Sequence, residues 1–329
     1  MSTQNNKTEI AVKPNFLQRI SVFSKDYMSV VGIILLSIVF TVLSKYFFTW
    51  DNWKNILLQS STTAIVALGQ AVILLTANFD LSLGRMVCLT SCVGAILMKT
   101  YNVTPILAVL IMLVLGILLG SFNGFLTAFV GLPAFIATLG TQYISYGIAK
   151  LITNATPIPK LPESIGWLGR GYVGPIPICV IIMICIYIIA QFVTTKTRVG
   201  RNLYAVGGSS EAAFFSGINV KKYYFGTFVL AGFLSALGGL ILMSRLNSVA
   251  VSNGNNYEFD AVIGSIIGGI SLTGGKGRVI GTMFGCIFLI TLFNGFSQLG
   301  VDPFVQDVLK GIVLVIAITL DVLRNKKKA

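Results

Sequence analysis

Apolar runs of about twenty residues recur along this 329-residue chain, and their length decides most of what it can fold into. Read between charges and Gly/Pro breaks, they fall near 30 to 48, 56 to 77, 81 to 98, 104 to 130, 132 to 152, 172 to 193, 224 to 244, 259 to 272, 279 to 297 and 303 to 322. A helix of about 20 residues spans the roughly 30 Å hydrocarbon core and satisfies its own backbone hydrogen bonds, which an irregular segment in lipid cannot do. With 55% hydrophobic and 11% charged residues, against about 25% charged in a typical soluble domain, the chain lacks the polar surface a soluble fold needs. The expectation is an all-α polytopic membrane protein with ten transmembrane helices.

An even number of spans places both termini on one side. The basic tail Arg324, Lys326, Lys327, Lys328 matches the basic N-terminal segment in sign, so both ends are expected in the cytoplasm. That orientation puts sixteen Lys and Arg inside, Arg85 among them, and seven outside, with Lys310 within the tenth run. The expected layout is a cytoplasmic tail over 1–28, a transmembrane domain over 29–323 and a basic tail over 324–329. Two loops stand out: 153–171, rich in proline and expected outside, and 194–223, the longest hydrophilic insertion, expected inside. Each could receive a partner protein on its own side.

The two halves share short patterns. Phe79-Asp80-x3-Gly84 recurs as Phe259-Asp260-x3-Gly264, and Asn123-Gly124-Phe125 as Asn294-Gly295-Phe296, in the same order. Five spans per half would set the second copy upside down, the inverted repeat of many transporters.

Several chemistries are disfavoured. The chain has no His, which removes the commonest general base and metal ligand, and its five Cys lie inside apolar runs as packing residues. No Gly-x4-Gly-Lys-Ser/Thr phosphate loop is present. The chain is therefore not expected to be an enzyme or to bind a metal, and its net charge of +13 speaks for membrane orientation and against any need for nucleic acid.

The inner insertion carries the sharpest signal. Gly207-Gly208 can turn, Ser209 or Ser210 can cap, Glu211 favours the positive end of a helix, and Ala212 to Ser216 supply about a turn and a half before Gly217 ends it. Exposed Phe214, Phe215 and Ile218 beside it suit a docked cytoplasmic protein better than water.

Here the sequence resembles a known family. Glu211-Ala212-Ala213-x3-Gly217 is similar to the EAA-x3-G coupling motif of ABC importer permeases. Gly200-Arg201-x2-Tyr204-Ala205-x-Gly207-Gly208 and Ser216-Gly217-Ile218-Asn219-Val220 resemble the ribose and monosaccharide branch. So do Leu75-Thr76-x3-Asp80-Leu81-Ser82-x-Gly84, Pro133-x-Phe135-Ile136-Ala137-Thr138-Leu139-Gly140, and Ile267-Gly268-Gly269-x-Ser271-Leu272-x-Gly274-Gly275-x-Gly277. Ala77-Asn78-Phe79 stands where that branch usually has Gly-Gly-Ile. The resemblance implies a type II permease, like the vitamin B12 importers, in a bacterial cytoplasmic membrane. It implies a second permease copy or paralogue, two ATPase domains holding ATP and magnesium, and an extracytoplasmic sugar-binding protein.

The resemblance also directs attention to a pathway lined by the fifth and tenth spans, with Thr138, Gln142 and Ser145 on one and Gln306, Asp307 and Lys310 on the other. Thr138, Gln142 and Ser145 recur at helical spacing and suit either transient contacts with a polyol or helix–helix hydrogen bonds. Asp307 and Lys310, three apart, can pair with each other. Asp80, Ser82, Gly84 and Asp260 lie at corresponding breaks in the two halves, as gate residues or as helix caps. A rival reading is an ion-coupled secondary carrier using Asp80, Asp260 or Asp307.

Overall fold

A computed structural model describes residues 28–326. Among them are thirteen α-helices, which we number in chain order: α1 (Met28–Leu43), α2 (Trp50–Leu75), α3 (Leu83–Lys99), α4 (Pro105–Phe125), α5 (Ala134–Thr153), α6 (Glu163–Arg170), α7 (Ile178–Lys196), α8 (Arg198–Gly208), α9 (Ser210–Phe215), α10 (Val220–Leu246), α11 (Tyr257–Ile267), α12 (Val279–Gln298) and α13 (Pro303–Lys326). Two two-residue antiparallel ladders complete it, Ile158–Pro159 on Ser248–Val249 and Tyr172–Val173 on Ile176–Pro177. The expected N-terminal tail lies outside the described residues up to Met28, and 324–326 of the expected C-terminal tail continue α13.

Each expected apolar run falls on a helix, but six helices are long and apolar enough to cross a membrane: α2, α4 with its five-residue π-turn Leu126–Val130, α7, α10, α12 and α13. The chain is thus a polytopic, all-helical membrane protein. The run read as 259–272 folds as an 11-residue helix of about 16 Å, half the hydrocarbon thickness. The run read as 172–193 begins with the Tyr172–Pro177 hairpin, turned at Gly174 (φ 59°), so its helix starts at Ile178. Local chemistry sets many ends: Thr49 Oγ1 accepts from Asn52 N (3.4 Å), Pro105 opens α4, and Gly131 (φ 84°) stops the π-turn.

The core is built around α2, buried along most of its length, with α10 and α12 beside it. Ala64, Leu68, Ala71 and Leu75 of α2 pack with Tyr187, Leu234, Ile241, Ala261 and Cys286 in the largest apolar cluster. By contrast α13 lies at the rim, resting on α11 and α12, and Ala317 is its one fully buried residue among those described.

Two irregular segments enter this bundle from opposite ends. Arg245 Nη1 donates to Leu58 O (2.8 Å), which sets the end of α10 beside the first third of α2, whereas Gly275 N donates to Leu75 O (3.0 Å) at the other end. Residues 76–82 leave one end and 247–256 the other, and they meet at Gly84, where a Cβ would strike Gly254 O and the Glu258 carboxylate. Arg85, expected on the inner side, instead donates to Asn255 Oδ1 (2.8 Å) and Val251 O (3.4 Å) in the segment expected outside. Irregular backbone at such a depth is tolerated because protein surrounds it.

Candidate functional site

The insertion at 197–219 folds as two short helices. Thr197 Oγ1 accepts from Gly200 N (3.3 Å) to start α8, and Ser209 Oγ accepts from Ala212 N (3.1 Å) to start α9. Ser209 is therefore the cap, and Ser210 is the first residue of the helix. Gly217 (φ 81°) ends α9 through two bonds, Gly217 N to Phe214 O (2.9 Å) and Ile218 N to Ala213 O (3.0 Å), a Schellman closure. Glu211 and Ala212 are exposed in the first turn, Phe214 and Phe215 are 67% and 79% exposed, and Ala213 is buried against the protein. An acidic first turn followed by two bare phenyl rings is a surface shaped for a partner.

Gly207 and Gly208 do not form the sharp turn expected of them. They close α8 in helical geometry, and a Cβ on Gly207 would run into the Leu75 carbonyl. The reason for glycine here is close approach: the backbone of 207–208 lies directly on that of Leu75, Gly274 and Gly275. Tyr204 Oη donates to Gly277 O (2.7 Å), and burial pushes the Tyr204 phenol up, which keeps that proton in place.

The aspartate of the first half is sealed. Asp80 Oδ1 accepts from Ser82 N (2.7 Å) and Ser82 Oγ (2.6 Å), Asn123 Nδ2 donates to Ser82 Oγ (2.9 Å), and Thr141 Oγ1 donates to Asn123 Oδ1 (2.5 Å). Thr138 accepts from Leu81 N (3.1 Å) and donates to Ala134 O (2.9 Å), so it ties α5 to the 76–82 segment. Ser145 is buried on the same inner face of α5, and Gln142 is half-buried.

The aspartate of the second half, also buried, lines a cleft. Asp260 receives Lys310 Nζ at 3.2 Å on each carboxylate oxygen. Lys310 thus pairs across helices with α11, which corrects the expected pairing with Asp307 on its own helix. Both sit in a cleft of about 240 Å³ with Asn256, Phe259, Asp307 and Gly311. Gln306 lies outside it and closes the turn before α13, its Nε2 donating to Val301 O (2.9 Å) and Ser297 Oγ (3.2 Å).

Two functional candidates were invisible in sequence. The Arg85 guanidinium and the Lys150 amine each lie 4.1 Å from the centroid of the Tyr146 ring, where the two irregular segments meet. Asp321, near the C-terminal end of α13, accepts from Ser271 Oγ (3.1 Å) and Leu272 N (3.0 Å). Neither has a motif, since both depend on long-range contacts.

The family described as branched-chain amino acid transport system / permease component matches residues 52–318. The ribose import permease protein RbsC of Bacillus subtilis (strain 168) is 39% identical over 91% of this chain and 92% of its own length. RbsC of Escherichia coli (strain K12) is 36% identical over 92% and 94%. The D-allose transport system permease protein AlsC of the same strain is 35% identical over 98% and 99%. No solved structure matches. With this match over most of its length and its bundle of long apolar helices, the chain belongs to the branched-chain amino acid transport system / permease component family.

Proposed function

We propose that this chain is the membrane-spanning permease subunit of an ATP-driven importer for a monosaccharide or a similar small polar solute. The carrying observation is α9, a capped helix outside the long apolar helices that leaves Glu211, Phe214 and Phe215 exposed. A separate ATPase subunit, holding ATP and magnesium, would seat α9. The lack of a phosphate loop in this chain supports that division of labour. Relatives named as ribose, allose and galactose permeases favour a sugar over an ion-coupled cargo.

The finer reading is a type II arrangement of ten membrane segments in two inverted halves, in a bacterial cytoplasmic membrane with both termini inside. Two copies, or a copy and a paralogue, would enclose a pathway between α5 and α13. The cleft at Asp260 and Lys310 would meet the solute from the outer side, with charges paired and affinity accordingly low. A binding protein would deliver it to the surface formed by α6 and the Tyr172–Pro177 hairpin, where Trp167 is 57% exposed. Charge reversal tests the docking. Glu211→Arg permease is expected to remain in the membrane at wild-type level and to lose copurification of the ATPase. Copurification at wild-type level would overturn the reading.

A further inference from the structure

The docking helix and the rim helix α13 do not pack substantially on each other, yet one short loop touches the machinery of both. We propose that residues 270–278 relay displacement of α9 to α13, with Asp321 as the positioning residue that transmits it. This rests on the ATPase-docking reading above.

Four links carry the inference. Only Ser209 separates α8 from α9, so the two helices move as neighbours on one short tether. The end of α8 is seated on the loop without intervening side chains: a Cβ on Gly275 would lie 2.7 Å from Gly208 N, and one on Gly274 2.7 Å from Gly207 O. Gly274, Gly275 and Gly277 hold φ of 77°, 63° and 111°, conformations that other residues adopt poorly, and Tyr204 Oη fastens Gly277 O. The loop is itself closed by Ser271 N to Lys276 O (3.2 Å) and Gly274 N to Ser271 O (3.3 Å), so it moves as a unit. Asp321 Oδ2 then grips its first turn through Ser271 Oγ and Leu272 N.

At the other end of α13, Lys310 holds Asp260. Eleven residues separate Lys310 from Asp321, three helical turns, which returns them to within about 20° of one face. Just before Lys310 and in the turn after it, Leu309, Val313 and Leu314 lie on Ile263, Leu289 and Phe293. The rim helix therefore has a polar clamp near each end and a smooth apolar contact in the middle. Such a helix slides or tilts when one clamp is displaced, and the displaced clamp is the one joined to α8.

The test uses the permease assembled with its ATPase in nanodiscs, on a Cys185→Ser background, with nitroxides at Val315→Cys on α13 and Leu118→Cys on α4, both lipid-facing. The distance between labels is measured without nucleotide and with ATP, magnesium and vanadate. The expected result is a nucleotide-dependent shift in the parent complex and its loss in Asp321→Ala, with ATPase binding and hydrolysis retained. Asp321→Asn, which keeps one acceptor oxygen, is expected to restore part of the shift, and Tyr204→Phe to reduce it. A full shift in Asp321→Ala, or loss of ATPase binding together with the shift, overturns the relay. Failure of the parent permease to bind the ATPase would instead overturn the docking reading.

Discussion

The two aspartates that occupy matching places in the repeated Phe-Asp-x3-Gly pattern are treated in opposite ways. Asp80 is closed in by a hydroxyl, an amide and a backbone N–H drawn from residues next to it and from α4 and α5. Asp260 is met by one amine from the rim helix, on the edge of a cleft. The same six-residue pattern thus makes a rivet in one half and a latch in the other. Their matching asparagines differ too, since Asn123 extends the Asp80 network whereas Asn294 exchanges two hydrogen bonds with Asn52 (2.9 and 3.0 Å). The shared letters do not impose one backbone, since Asp80 lies in the irregular segment before α3 and Asp260 in the first turn of α11, and the surrounding contacts decide what each does.

The largest expected effect is on the rivet. Asp80→Ala removes the acceptor of both the Ser82 N–H and the Ser82 hydroxyl, and each buried polar group left unpaired costs about 1–3 kcal/mol. Thermal unfolding in detergent should fall further for Asp80→Ala than for Asp260→Ala, and equal losses would break the distinction. The latch comes next. Lys310→Met leaves the Asp260 carboxylate alone, and adding Asp260→Asn should recover stability, with a coupling of about 0.5–3 kcal/mol in the double-mutant cycle. Additive losses would mean that the pair is incidental. Smallest is Asn294→Ala, expected to cost about 1 kcal/mol, because Asn52 keeps its bonds to Phe47 O (2.9 Å) and Gln298 Nε2 (3.1 Å). Asn123→Ala should exceed it.

What the sequence revealed follows the range of the interactions. Apolar runs report burial in lipid residue by residue, so the ten runs land on helices, and α9 was readable because Ser209, Glu211 and Gly217 act on their own backbone neighbours. The partner of Lys310 was misread because i,i+3 spacing names a neighbour on the same helix, while packing of α13 on α11 offers a closer carboxylate. Arg85 was assigned to the inner side from its place near the start of the 81 to 98 run. The plunge of 247–256 into the bundle, which brings Asn255 to it, has no periodic signature. Asp321 falls at the end of the last apolar run, and its bonds to the returning 271–277 loop have no signature in spacing. In the same way Gly207 looked like a turn residue when its requirement is contact with Leu75.

The central claim is that motion imposed at α9 by an ATPase drives solute through this chain. Its most direct test is uptake of ribose, allose and galactose into proteoliposomes holding permease, ATPase and binding protein, with ATP and no ion gradient, then with a sodium or proton gradient and no ATP. The account expects uptake of at least one sugar in the first condition, abolished by Glu211→Arg, and none in the second. Uptake driven by the gradient without ATP would contradict it.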